Sequence, residues 1–378
     1  MKTHTRNPIR LSLLLLVVTA MSTLIDPISA QNSTYNPSEN ILVNCGSSDN
    51  STASDGRTWV GDANSNYTVG ADKSITATPS SQGSVPQVPY MTARIFQTQF
   101  TYAFPVSPGR KFIRLYFYPS NYTNPNFVDS DSFFSVSVGP FILLSNFSAL
   151  LTGQSSGQSS VVREFSVNVS SNALKLTFAP APAPKSAFAF VNGIEIVSMP
   201  NFFDSGSDTF NQPPLVGTTS TFPVEQDTAL QTVARLNVGG NTVTPPKDSG
   251  LYRTWEDDSQ YIFAAASGVT YPKDPNLTIT YPASVPSYIA PTDVYGTARS
   301  MGPNPQLNLK FNLTWTVPVD AGFYYLVRLH FCEIDSKVAQ INMRVFDIFI
   351  NNQTAEKTST CSCKTIEWDS ACLYTRTT

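Results

Sequence analysis

Histidine is almost absent from this chain: of 378 residues, His4 and His330 are the two that carry an imidazole. That count excludes a histidine-rich metal site, and any Ser-His-Asp or Cys-His arrangement has to use His330. Alternation along its segment sets His330 beside Arg328 and Cys332 on one strand face, where a structural role is expected of it. Kinase chemistry needs a glycine-rich phosphate loop, a strand lysine and His-Arg-Asp and Asp-Phe-Gly elements, and no such set occurs. No catalytic residue, metal ligand or cofactor is expected. Blocks of basic residues are missing too, which argues against a nucleic-acid partner. Five cysteines form no disulfide framework: Cys45 and Cys332 stand alone as expected thiols, while Cys361, Cys363 and Cys372 crowd the end.

What is there begins with a leader. Lys2, Arg6 and Arg10 precede an apolar run from Leu13 to Val18, and Ser29-Ala30 offers small residues before Gln31. The run is far shorter than the ~20 residues that cross a bilayer. Residues 1–30 therefore read as a cleavable secretory signal rather than an anchor. Taking Lys2, Arg6, Arg10 and Asp26 from 24 basic and 27 acidic residues leaves 21 and 26, a net charge of −5. Nine Asn-x-Ser/Thr sequons follow, at Asn32, Asn50, Asn66, Asn121, Asn146, Asn168, Asn276, Asn312 and Asn352. Together with a leader they point to a glycosylated extracellular protein, with each used asparagine at the surface.

The chain also repeats itself. Arg57-Thr58-Trp59 returns as Arg253-Thr254-Trp255 at an offset of 196, and Thr92-Ala93-Arg94 returns as Thr297-Ala298-Arg299 at 205. Ile113-Arg114-Leu115-Tyr116-Phe117 returns as Val327-Arg328-Leu329-His330-Phe331 at 214. Constant order with growing offsets means two tandem copies of one fold, the second with longer loops. Period-two alternation makes the repeated segments strands. Ile113, Leu115 and Phe117, like Val327, Leu329 and Phe331, are expected to face inward. So are Phe134, Val136 and Val138 and their counterparts Phe346, Ile348 and Ile350. Long amphipathic helices are not evident, and turn dipeptides such as Asp55-Gly56 and Asn192-Gly193 punctuate the chain. The expected fold is all-β, two antiparallel sandwiches of jelly-roll type.

Boundaries follow from the same comparison: a first domain over 31–200, a Pro/Ser/Thr-rich linker over 201–224, a second domain over 225–356 and an unrelated tail over 357–378. The first copy closes with Leu174–Phe178 and Ile194–Met199, and an offset of 214 puts their counterparts beyond residue 378. The second copy is accordingly expected to be incomplete, with unpaired sheet edges.

Features shared by both copies are expected to serve the fold: Arg94 and Arg299 binding buried carbonyls or carboxylates, Trp59 and Trp255 in the cores. The segment Leu42-Val43-Asn44-Cys45-Gly46 stands against Leu236-Asn237-Val238-Gly239-Gly240, so Cys45 is not required by the repeat. Glu256-Asp257-Asp258 reads as a solvated acidic turn rather than a calcium site. Differences between copies are the better place for ligand contact. Arg114, Tyr116 and Tyr118 lie opposite the inward face of their strand, and Arg110 and Lys111 add positive charge. Aromatic rings stack on sugars and cations pair with uronic acids, so these five are the candidate ligand-binding residues; a second layer of sheet covering is the competing role for the tyrosines.

From about Ile41 to Glu356 the chain resembles the malectin-like ectodomains of plant receptor kinases of the FERONIA group. The resemblance rests on Leu42-Val43-Asn44-Cys45-Gly46, Arg94-Ile95-Phe96, Phe188 to Glu195 and Val197-Ser198-Met199-Pro200. In the second copy it rests on Arg235 to Gly240, Thr254 to Asp258, Thr297 to Gly302 and Arg328 to Glu333. It implies two malectin-like sandwiches outside the cell, normally followed by a membrane helix and a serine/threonine kinase. It implies sensing of cell-wall polysaccharide (pectin) and of secreted rapid alkalinization factor peptides, the latter with a GPI-anchored co-receptor. A secreted decoy is the alternative, and a glycan-active enzyme a more distant one, since hydrolysis needs paired carboxylates in one cleft.

Overall fold

A computed structural model describes residues 34–63, 65–68, 74–123, 127–201, 203, 212–263, 268–281, 285–338, 340, 342–360 and 368–375. The expected signal segment and the sequon at Asn32 lie outside the described residues.

The alternating segments of the first copy become β1 (Asn40–Asn44), β2 (Ser51–Thr52), β3 (Thr58–Gly61), β4 (Ser74–Ala77), β5 (Ala93–Phe96), β6 (Phe100–Pro105) and β7 (Gly109–Phe117). They continue as β8 (Phe134–Val138), β9 (Phe141–Phe147), β10 (Val161–Val169), β11 (Ala173–Pro180), β12 (Ala189–Val191) and β13 (Gly193–Ser198), with one helix, α1 (Ala149–Ser156). Among the described residues, the main sheet runs β10-β7-β13-β1-β3-β2, and a second sheet runs β6-β11-β8-β9. Their apolar faces meet: Ile113, Leu115 and Phe117 from β7 join Phe134 and Val136 from β8 and Leu176 and Phe178 from β11, all without solvent exposure. Phe117 and Phe134 rings lie 5.8 Å apart, the spacing of packed aromatics. The β12-β5-β4 sheet closes the core through Phe96, stacked on Phe100 at 4.6 Å.

The second copy supplies β14 (Leu230–Gln231), β15 (Leu236–Asn237), β16 (Glu256–Asp257), β17 (Val269–Tyr271), β18 (Ala298–Ser300), β19 (Tyr324–Phe331), β20 (Val345–Ile350), β21 (Gln353–Thr360) and β22 (Trp368–Thr375). Two single-turn helices, α2 (Thr292–Tyr295) and α3 (Pro305–Asn308), interrupt them. The pairings repeat those of the first copy in order: β15 with β16 as β1 with β3, β17 with β18 as β4 with β5, β19 with β22 as β7 with β10, and β20 with β21 as β8 with β9. One feature departs from an all-antiparallel expectation in both units, since β1/β3 and β15/β16 are parallel.

Burial differs between the copies. The inward set of β8 is buried, whereas Phe346, Ile348 and Ile350 of β20 and Val327, Leu329 and Phe331 of β19 are half-buried. A compact second core gathers Trp255, Ile279, Tyr281, Ile289 and Tyr295 instead. The alternation was legible; the depth of burial was set by what covers each strand.

Two boundary expectations change. The linker packs: Val216 and Val224 are buried, Pro214 bridges to Thr221, and Phe203 lies 6.5 Å from Phe112. Just beyond it, β14 adds a strand to the first unit's main sheet through Phe165 and Ser166 of β10. The open hydrogen-bonding edge of β10 attracts this short segment although its sequence position lies in the second domain. The segment read as a tail also enters the sheets, because β21 extends to Thr360 and β22 pairs with the whole of β19 from Tyr324↔Thr375 to Phe331↔Trp368. Beside β19 this strand takes the place that β10 takes beside β7, not the place of β13.

Candidate functional site at the junction of the two units

Alternation along β7 does send Phe112, Arg114 and Tyr116 to the face opposite the core, and the second unit sits against that face. Arg114 is central. Its cross-strand neighbours are Glu164 on β10 and Glu195 on β13, one on each side. Arg114 Nε donates to Glu164 Oε2 at 2.6 Å, and Nη1 donates to Glu195 Oε1 at 2.8 Å. Its third nitrogen, Nη2, donates at 3.0 Å to the Leu251 carbonyl of the second unit. Glu195 also accepts from Arg57 Nη1 at 2.6 Å and from the Tyr116 hydroxyl at 2.6 Å. Glu164 accepts from Arg235 Nη2 at 2.5 Å and from Thr232 Oγ1 at 2.5 Å, and Arg57 lies over the Tyr252 ring at 5.4 Å.

Three guanidiniums and two carboxylates therefore share one dry seam, with Arg114 4% and Glu195 0% exposed. Burial alone would raise the Glu164 carboxyl, but Arg235 and Arg114 hold it well below the usual carboxylate range. Burial likewise pushes the Tyr116 phenol up, and the Glu195 charge pushes it further, so it stays a donor.

The remaining candidates are equally engaged. Arg110 donates to the carbonyls of Thr228 and Glu225, each at 3.1 Å, and ties the start of the second unit to β7. Lys111, 2% exposed, has its Nζ 3.3 Å from Glu39 Oε2. Burial opposes ionisation of Glu39, yet donors from Ser107 and Ser38 together with Lys111 bring its carboxyl down to about 2. Tyr118 is buried with Val85 and Tyr90, its hydroxyl 3.3 Å from the Ser81 carbonyl. Arg110, Lys111, Arg114, Tyr116 and Tyr118, expected to contact a ligand, all bond or pack within the molecule. Charge and aromaticity on a strand face cannot distinguish a sugar from a neighbouring domain. Surface access nearby is a cleft of about 520 Å³ lined by Thr52, Ala53, Ser54 and the stretch from Ser84 to Val88.

The shared arginines do what was expected, and with partners that went unnoticed. Arg94 makes a two-pronged pair with Asp62, Nε to Oδ2 at 2.6 Å and Nη2 to Oδ1 at 2.7 Å. Arg299 does the same with Asp258, at 2.6 and 2.8 Å. Each aspartate accepts further bonds from a backbone glycine and one aromatic: Gly46 and Tyr102 in the first unit, Gly239 and Trp315 in the second. The signal was present, since the offset of 196 that maps Trp59 on Trp255 also maps Asp62 on Asp258. Asp258 is consequently buried, not part of a solvated turn. These pairs also correct the repeat by one residue. Asn44 accepts from Thr92 at 3.0 Å as Asn237 does from Thr297 at 2.8 Å, so Gly46 matches Gly239 rather than Gly240. Cys45, a buried thiol, then matches Val238.

His330 is structural. Its Nδ1 lies 2.9 Å from the Tyr295 hydroxyl, and its ring packs against Trp255 and Tyr295 at 5.6 Å each. Burial and the charges of Arg328, Arg253 and Arg235 push it down to about 3. Of the sequons within the described residues, Asn50, Asn66, Asn121, Asn146, Asn276, Asn312 and Asn352 are exposed and Asn168 on β10 is half-buried. No cluster of three or more His, Cys, Asp or Glu suited to a metal occurs among the described residues.

The malectin-like domain model matches residues 43–378. The chain belongs to the malectin-like family. This malectin-like chain is 49% identical over 355 residues to the receptor-like protein kinase FERONIA of Arabidopsis thaliana, covering 93% of the chain and 39% of that protein. It is 42% identical over 325 residues to ANXUR1 of the same plant, covering 85% and 37%. It thus spans well under half the length of these curated relatives. Among solved structures, the receptor-like kinase FER superposes with a TM-score of 0.82 at 47% identity, covering 89% of this chain and 86% of that one. The ANXUR1 extracellular domain from Arabidopsis thaliana gives 0.83 at 39%, covering 90% and 88%. A complex of the plant peptide RALF23 with FER and LLG2 gives 0.82 at 46%, covering 90% and 87%. The solved ANXUR1 chain that it matches is an extracellular domain. No helix among the described residues is long and apolar enough to cross a membrane.

Proposed function

We propose that this malectin-like chain is the extracellular ligand-binding part of a plant receptor-like serine/threonine kinase held at the plasma membrane, and that it receives a secreted signalling peptide together with a GPI-anchored co-receptor. One observation supports this above others: both units superpose on the FER chain of the RALF23–LLG2 complex at 46% identity. That identity extends over nine-tenths of the chain, with a TM-score of 0.82. The reading is tested by producing the glycosylated chain through a secretory pathway and titrating it with RALF23 and LLG2, separately and together. A ternary species on size exclusion is the expected result; a folded chain that binds neither component overturns it.

The polysaccharide part of the proposal rests on the resemblance and on surface chemistry. With Arg110 and Arg114 bonded to the second unit, an acidic sugar meets them only if the two units part, and Lys111 is held by Glu39 within the first unit. The cleft between the Thr52–Ser54 turn and the Ser84–Val88 loop offers hydroxyls and one amide at the surface instead. Oligogalacturonide binding that persists in Arg110→Ala and is lost in Gln87→Ala would place the sugar there. No binding at any ionic strength removes this part and leaves the peptide reading intact.

A further inference from the structure

The second unit carries a run of large apolar side chains that are half or more exposed. Leu309 is 84% exposed, Phe311 52% and Leu307 50%, all within five residues. Helix α3 and the turn after it present them: Asn304 caps the helix by accepting from Gln306 and Leu307, and the amide of Phe311 donates to the Leu307 carbonyl at 3.2 Å. The amide of Phe263, itself 59% exposed, donates to the Thr314 carbonyl at 2.8 Å and brings a second aromatic to the same place. Exposed apolar groups gathered in this way ordinarily mark a covered surface.

The cover is written into the ridge itself. Asn312 stands between Phe311 and Leu313 as the acceptor of the sequon Asn312-Leu313-Thr314, and it is exposed. The threonine of that sequon is the residue to which Phe263 bonds. We infer that an N-linked glycan on Asn312 lies over Leu309, Phe311 and Phe263 and shields this ridge. In the attachment, Asn312 Nδ2 displaces the pyrophosphate of a lipid-linked oligosaccharide donor at the anomeric carbon of its first N-acetylglucosamine. One C–N bond forms, one C–O bond breaks, and the amide loses a proton. The C–H face of that first sugar is apolar and rests on a phenyl ring as an aromatic neighbour would, while its hydroxyls face water. A sugar at Asn50 has no such bed, because Ser48, Asp49 and Ser51 surround it.

Glycopeptide mass spectrometry of the secreted chain is expected to find Asn312 occupied. On the folded protein, an endoglycosidase that leaves one N-acetylglucosamine is expected to keep the chain monomeric and its binding of a hydrophobic dye low. An amidase that removes the whole glycan is expected to raise dye binding and produce larger species. Asn312→Gln reproduces the second state, Asn50→Gln does not, and Leu309→Ser with Phe311→Ser restores the monomer in the Asn312→Gln background. An unoccupied Asn312, or dye binding and mass unchanged by complete removal, overturns the inference. A ridge shielded by LLG2 instead shows itself as loss of complex in Leu309→Ser with Phe311→Ser, and that result overturns it as well.

Discussion

At the scale of single residues, Asp62 and Asp258 show how an ion pair is valued by its surroundings. Asp62 has 0% exposure and Arg94 2%, so removing the carboxylate strands a guanidinium in the core. Asp62→Ala is expected to cost about 3–5 kcal/mol, read from the midpoint of chemical denaturation. Arg299 retains 11% side-chain exposure, and Asp258→Ala is expected to cost less, about 1–3 kcal/mol. His330 contributes to the pH dependence of stability above the carboxylate range. Its folded pKa is depressed to about 3 from 6.5, so below 6.5 the unfolded chain takes up a proton that the folded chain refuses. Stability is full above 6.5 and falls as the pH drops toward 3. Between 6.5 and 4.5 this histidine acts before Glu39, whose carboxyl ordinarily titrates at 4.5. Urea midpoints across that window are expected to fall more steeply with decreasing pH in the native chain than in His330→Phe, where the raised Glu333 carboxyl still titrates. The aspartates could be read from one offset applied twice, whereas the depression of His330 depends first on its burial and then on three arginines 2, 77 and 95 positions away.

At the scale of elements, the parallel pairing of β1 with β3 and of β15 with β16 is where a strand leaves the sheet and the chain passes beneath another backbone. Gly46, at φ +82°, lies two residues beyond β1, and a Cβ on it would stand 2.2 Å from the Ala93 carbonyl oxygen. Gly239, at φ +73°, repeats this with Ala298 at 2.3 Å. Left-handed backbone and overlap act together, so Gly46→Ala is expected to destabilise by about 2–5 kcal/mol. Thermal denaturation of Gly46→Ala and Gly239→Ala side by side checks that both crossings are equally intolerant. Strand identity was legible because period two is a local property: Leu174, Leu176 and Phe178 alternate inward as read. The strands formed by Leu230–Gln231 and Trp368–Thr375 were not legible, because a two-residue strand and a strand in an unfamiliar tail are recruited by open edges elsewhere.

For the whole molecule, the seam around Arg114 joins the two units mechanically. Arg114 reaches Leu251, Arg110 reaches Glu225 and Thr228, and Arg235 reaches back to Glu164. A tandem held by buried charge pairs unfolds as one body. Arg235→Ala leaves Glu164 short of a partner in the seam, and calorimetry is expected to resolve the native chain's single transition into two, the second unit melting first because its core is smaller. Two superposable transitions in both proteins would show that the seam carries no coupling. Coupling of this kind holds the two units at one angle to each other.

From the sequence by itself came the tandem repeat, the strands and their inward faces, the structural use of Arg94, Arg299, Trp59 and Trp255, and the resemblance that names the family. Each of these is local or is repeated, and repetition makes a weak local signal readable. Tertiary structure alone decided that Arg110, Arg114 and Tyr116 meet the seam while Lys111 and Tyr118 are buried within the first unit, that the linker packs and that a late strand pairs with β19. The physical reason is that an exposed-looking polar face acquires its role from whatever is brought against it, and in this chain the partners of β7 lie 50 to 137 residues away along the sequence.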